Sequence, residues 1–293
     1  MRVIHRQGLA ELPAKALEIA ATCRMRRMTG DRETLRATFD SVAGRYDRAR
    51  PGYPAALFDV LLRQTGLRPG DRVVEVGCGT GKATRPLAER GLRLTCVELG
   101  ADMAAVARAN LAGFADVEVV NAAFESWRPP DGATFDAVVA ATSWHWADPE
   151  LRYRRAWELL RPGGHLAFWA AVHVLPAAGD PIFLELQDVY DEIGAGRVED
   201  WPRPRALPDL RGEILASGLF RRVTVTQFDW EVRYDAEGYV DLLETFSGHI
   251  AMRPWQRERL YAAIRSRLAE RPDGLLRRHW GAALHVASRI DDP

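Results

Sequence analysis

The stretch Val73-Val74-Glu75-Val76-Gly77-Cys78-Gly79-Thr80-Gly81-Lys82 decides the fold. It runs from an apolar, β-branched segment into a loop with glycine at every second position, and then into a helical pattern. Glycine permits tight turning and lets the backbone approach a ligand without a Cβ clash. The helix that follows presents free N–H groups and the positive end of its dipole. The stretch therefore predicts a strand–loop–helix unit that binds a ligand.

Two nucleotide-binding interpretations of this loop fit poorly. A phosphate-binding P-loop needs glycine where Val76 stands and Ser or Thr where Ala83 stands. A dinucleotide loop needs glycine where Lys82 stands, which leaves a nicotinamide oxidoreductase as a weak alternative that NADH binding would test. The third interpretation is the G-x-G-x-G loop used for methyl donors. Glu75 favours it, because a carboxylate in a buried strand is costly unless it accepts hydrogen bonds from a ligand or from the loop.

The segments around this loop alternate between strand-like and helix-like patterns. Such alternation is typical of a mainly parallel sheet covered on both faces. Strands are predicted at Arg72–Val76, Leu92–Glu98, Val117–Asn121, Phe135–Ala141 and His165–His173, and helices at Ala55–Thr65, Lys82–Glu89, Asp102–Leu111 and Glu150–Leu160. After residue 175 a proline-rich stretch intervenes, followed by predicted helices and strands at Ile182–Ile193, Phe220–Tyr234, Ala236–Phe246, Pro254–Ala269 and Leu275–Ser288.

Composition narrows the function classes. The 293 residues include 40 basic and 40 acidic side chains, so we expect no broad nucleic-acid surface. Three scattered cysteines, Cys23, Cys78 and Cys96, predict neither a disulfide framework nor a metal site. No apolar run is long enough to span a bilayer, and the N-terminus does not resemble a secretory signal. We therefore expect a cytoplasmic protein with no membrane partner, and the scarcity of lysine suggests a GC-rich bacterial genome.

Several motifs in order from about Phe39 to Leu175 resemble the class I methyltransferases that depend on S-adenosylmethionine (SAM). Besides the glycine loop they are residues 39–47 (FDSVAGRYD), 135–139 (FDAVV) and 160–164 (LRPGG). The resemblance is to the type 11, small-molecule group of that family. It implies an α/β, Rossmann-like, doubly wound sheet of seven mostly parallel strands with a helical cap. It also implies SAM as the cofactor, with S-adenosylhomocysteine (SAH) as product, and a small-molecule acceptor.

The resemblance also assigns the donor site. Glu98 ends the second strand, 21 residues beyond Gly77, where an acid accepts both ribose hydroxyls in such folds; alone, a solvated charge would be the simpler interpretation. Relatives often carry an aspartate where this chain has Ala122 and Ala123, so adenine recognition would pass to the next two residues. The implied cofactor-binding residues are Glu75, Gly77, Cys78, Gly79, Gly81, Glu98, Leu99, Ala123, Phe124, Glu125 and Thr142.

The chemistry is predicted to occur beside a polar and aromatic cluster after the fourth strand. His145 is a candidate general base because its ordinary pKa lies near neutrality, although a helix-capping or backbone-bonding role is the alternative. Trp144 and Trp146 are predicted to wall the acceptor pocket, with core packing of Trp146 as the alternative.

A second set of candidates comes from residues 45–54. In similar enzymes this segment folds over the donor, so Tyr46 is a catalytic candidate near the methyl group, and Arg50 and Tyr53 are candidate substrate contacts. The alternative is a helix held by its aromatic side chains.

These predictions divide the chain into four parts: an extension at 1–34, a SAM-binding core at 35–175, a cap at 176–219, and remaining strands with substrate-covering helices at 220–293. Met28 is a candidate native start. The function predicted is methyl transfer from SAM to a small molecule, and the alternative is a SAM-binding regulatory or partner protein without transfer activity. A homodimer is compatible with the sequence.

Overall fold

The structure is a computed structural model that describes residues 43–196 and 201–291. The predicted extension at 1–34, the candidate start at Met28, Cys23 and residues 39–42 of the family motif lie outside the described residues. The strands are β1 Arg72–Val76, β2 Arg93–Glu98, β3 Val117–Asn121, β4 Phe135–Ala141, β5 Leu160–Trp169, β6 Ala171–His173, β7 Phe220–Tyr234 and β8 Leu276–Arg289.

Helices flank these strands. They are α1 Ala43–Ala49, α2 Ala55–Thr65, α3 Thr84–Ala88, α4 Ala101–Leu111, α5 Arg152–Leu159, α6 Ile182–Glu185, α7 Gln187–Glu192, α8 Arg211–Ala216, α9 Ala236–Leu243, α10 Ser247–Ile250 and α11 Pro254–Ala269, with 3₁₀ turns at Pro130–Gly132 and Trp144–Trp146. Across the described ranges, no helix has the length and apolar character needed to cross a membrane.

The eight strands occupy seven positions in one sheet. Strands β3, β2, β1, β4 and β5 pair in that order, all parallel. Strand β8 runs antiparallel beside β5, and β7 pairs antiparallel with β8. The short β6 continues the ladder of β5 without a register change, since His165 faces Ser288 and Ala171 faces Ala282. The prediction of a seven-stranded, mostly parallel, doubly wound sheet is therefore confirmed.

Burial on both faces explains why the central strands read as continuous apolar runs. In β1, Val73 and Val74 point to opposite faces and both are fully buried. Val73 packs with Leu57 and Phe58 of α2 in one core cluster. Val74 packs in a second cluster with residues of α5 and β7. Helix α2 ends where Gly66 adopts a left-handed conformation, with φ of 71°, as the sequence predicts.

A third core cluster joins the helices of the C-terminal half to the start of β8. It includes Phe183, Tyr239, Leu260 and Trp280. The helical stretch predicted over Ile182–Ile193 is present as two short helices, α6 and α7, which meet at Leu186 with helical backbone angles and hydrogen bonds on both sides. The helix predicted over Ala236–Phe246 ends early, at Leu243.

A buried ion pair fastens these helices to the sheet. Asp180, just before α6, accepts hydrogen bonds at 2.8 and 2.7 Å from the guanidinium of Arg271. It also accepts the backbone N–H groups of Ile182 at 3.1 Å and Arg277 at 2.8 Å. Its side chain is only 2% exposed. Asp180 therefore fixes the start of α6 relative to the first residues of β8.

We expect Asp180→Ala to lower the free energy of unfolding by about 3 kcal/mol, because it leaves a partly buried arginine and two N–H groups without their acceptor. Urea unfolding followed by circular dichroism measures the change. The control is Asp116→Ala: Asp116 is 70% exposed and 3.8 Å from Arg93, so we expect a change within about 0.5 kcal/mol. Equal effects of the two variants would contradict the anchoring role.

Candidate active site

A cavity of about 860 Å³ opens at the carboxyl ends of the parallel strands. Its walls include Gly77 after β1, Leu99 after β2 and Thr142 after β4. Its opposite wall comes from α6, α7, α9 and α10 and from the start of β8. In an open α/β sheet this edge is where ligands bind, because the loops after neighbouring strands converge there. We call the sheet side the donor end and the helical side the cap end.

The glycine loop adopts conformations that favour glycine. Gly77, Gly79 and Gly81 have φ of 64°, 57° and 91°. A Cβ on Gly77 would lie 2.7 Å from Cβ of Ser143, and one on Gly81 would lie 3.0 Å from a methyl group of Leu111. The first contact would push the β1 and β4 loops apart. The second would separate the loop from α4.

Glu98 ties the loops after β1 and β2 together. The backbone N–H of Gly79 donates to Oε2 at 2.8 Å, and that of Gly100 donates to Oε1 at 2.9 Å. A carboxylate has about four acceptor sites, so it can accept more hydrogen bonds than those from these two N–H groups. Glu98 lines the cavity, so its carboxylate can hold the two loops together and bind a ligand hydroxyl at the same time.

Glu75 is a buried carboxylate with one incompletely satisfied oxygen. Its Oε2 accepts a hydrogen bond from Oγ1 of Thr84 at 2.7 Å, whereas Oε1 is buried with no hydrogen-bond partner. Burial raises the pKa of Glu75 to about 7; the Thr84 hydrogen bond opposes this and the charge of Glu98 adds to it. Glu75 lines the cavity, so a cationic donor group of a ligand could satisfy Oε1 and stabilise the ionised form. This atom and the glycine loop fit a ligand with an ammonium group, such as SAM.

A strained turn after β4 forms the floor of the cavity. Thr142 has φ of 58°, which is unusual for a β-branched residue. Its Oγ1 lies 2.9 Å from the hydroxyl of Tyr53 and accepts the N–H of Ala171 at 3.0 Å. The hydroxyl of Ser143 donates to the carbonyl of Val76. These bonds hold the ends of β1 and β4 and the segment before α2 in one arrangement.

All but two of the predicted site residues line this one cavity. They are Glu75, Gly77, Cys78, Gly79, Glu98, Leu99, Ala123, Phe124, Glu125 and Thr142 from the cofactor set, and Tyr46, Arg50, Tyr53, His145 and Trp146 from the catalytic and substrate sets. Placement in the cavity leaves the role of each residue a prediction.

The two exceptions are Trp144 and Gly81. Trp144 is 3% exposed and stacks on Phe168 at 5.2 Å between ring centroids, so it belongs to the core rather than to the pocket wall. The prediction that it contacts substrate is therefore wrong, and Trp146 is the tryptophan of this turn that faces the cavity. Gly81 does not line the cavity; its role is the close packing against Leu111 described above.

His145 and Cys78 differ in what their surroundings allow. His145 lies in the 3₁₀ turn after β4, faces the cavity and contacts the ring of Trp146 at 5.0 Å. The pKa of Cys78 is raised well above its ordinary value by its interaction with Cys96 and by burial, so its thiol is not an activated nucleophile. Within the described ranges, no cluster of three His, Cys, Asp or Glu side chains could hold a metal ion.

The cap end brings in residues that sequence reasoning missed. Arg278 and Trp280 of β8 and Phe246 between α9 and α10 all line the cavity. Strand alternation places either Arg277 or Arg278 inward, and the sequence carries no signal that selects between them. His249 also lines the cap end, whereas Trp255 is half exposed and lies outside the cavity wall.

Comparisons with known proteins agree with this geometry. The family model described as a methyltransferase domain matches residues 73–164. An uncharacterized methyltransferase of Mycobacterium tuberculosis is 33% identical over 199 residues, which cover 62% of this chain and 79% of the relative.

Two solved structures share the fold. A provisionally named type II methyltransferase from Anaeromyxobacter dehalogenans has a TM-score of 0.58 and 24% identity, covering 82% of this chain and 97% of that one. Phosphoethanolamine N-methyltransferase 2 of Haemonchus contortus, in complex with SAM, has a TM-score of 0.51 and 18% identity, covering 90% and 61%. Together with the strand order and the M. tuberculosis relative, these matches show that the chain belongs to the class I SAM-dependent methyltransferase family.

Proposed function

We propose that this methyltransferase moves the methyl group of SAM to a small-molecule acceptor held between the sheet edge and the cap. The observation that carries the proposal is the single cavity that joins the glycine loop to the cap helices. Its volume of about 860 Å³ lies in the range of small-molecule and cofactor sites. The balance of 40 basic and 40 acidic residues gives no support for a nucleic-acid substrate.

The donor end fits the polar parts of SAM. Glu98 would accept the two ribose hydroxyls while it keeps the N–H groups of Gly79 and Gly100. Oε1 of Glu75 would accept a hydrogen bond from the ammonium group, which supplies the partner that this atom lacks. Phe124 and Glu125 would border the adenine. When bound, SAM supplies an electrophilic methyl group on a sulfonium.

Residues between the two ends would align the acceptor. Methyl transfer by direct displacement needs the nucleophile in line with the methyl–sulfur bond and water excluded. Trp146, Tyr53 and Tyr46 would provide apolar walls for this region. His145, in the 3₁₀ turn after β4, would accept a proton from a hydroxyl or amine acceptor.

Different segments of the chain would bind the donor and the acceptor. The core at 35–175 would bind SAM, and the cap at 176–219 with the helices of 220–293 would cover the acceptor and set specificity. The described helices α6, α7, α9 and α10 support this division, because each contributes to the cap end of the cavity.

Titration calorimetry with SAH tests the donor site. We expect saturable one-site binding that weakens as the pH falls below about 7, because the ligand ammonium needs ionised Glu75 and the pKa of that group is raised to about 7. We expect Glu75→Gln to bind more weakly at pH 8 and to lose this pH dependence. Glu98→Ala should weaken binding at both pH 6 and pH 8 by about tenfold or more, because charge-assisted hydrogen bonds are lost.

The matched control for both variants is Glu118→Gln, an exposed glutamate of β3 that does not line the cavity. Its binding curve should match that of the wild type at each pH. Absence of SAH binding to the folded wild-type protein would refute the proposed donor site. Binding of SAH without transfer to any acceptor would instead support the regulatory alternative.

We expect His145→Asn to lower kcat by about 100-fold while leaving the SAH dissociation constant unchanged, because a general base acts only during proton removal. The assay follows labelled methyl transfer from SAM to a panel of small hydroxy, amino and carboxylic acids. His165→Asn, on β5 and away from the cavity wall, is the control. An unchanged kcat and pH–rate profile in His145→Asn would assign His145 a structural role.

A further inference from the structure

Charge is segregated along the cavity. The acidic side chains among its described lining residues are Glu75, Glu98 and Glu125, and all three belong to the donor end. The cap end contributes Arg278, and Arg50 lies between the two ends. Lys82, the third basic lining residue, is paired with Asp47 at 3.8 Å. The donor end therefore suits a cationic ligand, whereas the cap end does not.

Arg278 is a buried cation without a carboxylate partner. The residue is 7% exposed, and the described residues provide it with no salt bridge. Its Nη1 donates to the hydroxyl of Tyr239 at 3.1 Å, but its buried Nε has no hydrogen-bond partner. Its guanidinium lies near the rings of Trp280 and Phe246, at 4.7 and 5.4 Å. Burying a guanidinium with an unused N–H donor costs free energy unless an anion accepts that hydrogen bond and balances the charge.

A second guanidinium adds to the positive charge of the same region. Arg50 donates from Nε and Nη2 to Thr245 at 2.8 and 2.9 Å and stacks on Phe246 at 3.9 Å. Burial lowers the pKa of Arg50, and the nearby charge of Arg278 lowers it further. The two arginines therefore repel each other across Phe246.

The groups around this pair do not neutralise it. Burial and the charges of Arg278 and Arg50 lower the pKa of His249 to about 3, so it is neutral at physiological pH, and its Nδ1 has no partner. His173 behaves in the same way, with a lowered pKa and an unpartnered Nε2. The buried carboxylate of Asp180 is already occupied by Arg271 and two backbone N–H groups.

Arg278 lies beyond the ends of the parallel strands along β8. Phe168 faces Ala140 near the end of β4, and on its other side it faces His285 of β8. Arg278 lies seven residues beyond His285, which corresponds to about 23 Å of extended strand. The glycine loop and Thr142 remain at the level of the strand ends. The unused capacity of Arg278 thus faces the part of the cavity beyond the donor.

We propose that the acceptor of this enzyme carries an anionic group, a carboxylate or a phosphate, that binds Arg278 at the cap end while its nucleophilic atom faces the donor. This inference rests on the proposed function, since it names the substrate class of the same site. A planar guanidinium suits both anions because its N–H groups match their oxygens in pairs. Trp280 and Phe246 would pack against the apolar body of the acceptor.

The alternative of a cationic acceptor in an aromatic cage fits the rings but not the charges. Such cages bind ammonium groups through the faces of aromatic rings. Here the faces of Phe246 and Trp280 are already approached by Arg50 and Arg278. A quaternary ammonium would therefore meet two positive charges, and the described residues of the cap end place no carboxylate opposite them.

Binding of probe compounds to the full chain saturated with SAH tests the proposal. The probes are phenylacetate, phenyl phosphate and the neutral phenylacetamide, measured by calorimetry. We expect at least one anion to bind about tenfold or more tightly than the amide, because only the anion satisfies the guanidinium. A preference for phenylacetate or for phenyl phosphate identifies the anion as carboxylate or phosphate.

Three variants separate the role of Arg278 from general effects. Arg278→Met should abolish the preference for the anion, and Arg278→Lys should keep part of it because the charge remains. Arg277→Met is the matched control, since the neighbouring Arg277 is partly exposed and pairs with Asp273 outside the cavity. We expect SAH to bind all three variants as tightly as it binds the wild type.

The outcomes are distinguishable. Equal binding of the amide and the anions, absence of anion binding, or an anion preference that survives in Arg278→Met would each overturn the proposal while leaving the donor site intact. Failure of SAH to bind the wild type would instead refute the proposed function on which the inference rests. Loss of SAH binding in Arg278→Met alone would assign Arg278 to the donor site and also overturn the proposal.

Discussion

The hydrogen bonds that Gly79 and Gly100 donate to Glu98 are the constraint on which the donor site depends. They join the loop after β1 to the loop after β2, and they exist only because parallel pairing places both strand ends at one edge. Ser143 joins the β4 loop to β1 in the same way, through the carbonyl of Val76. The position of the cavity is therefore a consequence of strand order. Gly77 and Gly81 are needed because a Cβ at either position would collide with a neighbouring loop or helix.

The core strands could be predicted from the sequence because burial on both faces makes them short, continuous apolar segments. β1 and β4 are buried in this way, and both begin and end at the predicted residues. The donor-end residues could be predicted because a glycine loop and a strand-end acid act through the backbone and through position, which a linear pattern preserves. The cap could not be predicted equally well, since the side chains of its helices that line the cavity are selected by tertiary packing, which a linear pattern does not carry.

The direction of individual side chains also could not be predicted from the sequence. Trp144 and Trp146 are two residues apart in a 3₁₀ turn, and nothing in their chemistry indicates which of them enters the core. Arg277 and Arg278 present the same difficulty on β8. Trp144 is buried in the core while Trp146 faces the cavity. Arg278 is buried against the cavity while Arg277 is partly exposed. The side chains that line the cap end from β8 thus depend on strand register, which the pairing of β8 with β6 and β7 defines.

A crystal structure of the protein with SAH tests the proposed division of the cavity most directly. We expect ribose hydroxyls on the carboxylate of Glu98, an ammonium group within hydrogen-bond distance of Oε1 of Glu75, and the thioether sulfur facing the cap end. We also expect Arg278 to make no contact with this ligand. A ligand bound elsewhere, or one whose carboxylate binds Arg278, would contradict the division of the cavity into a donor end and an acceptor end.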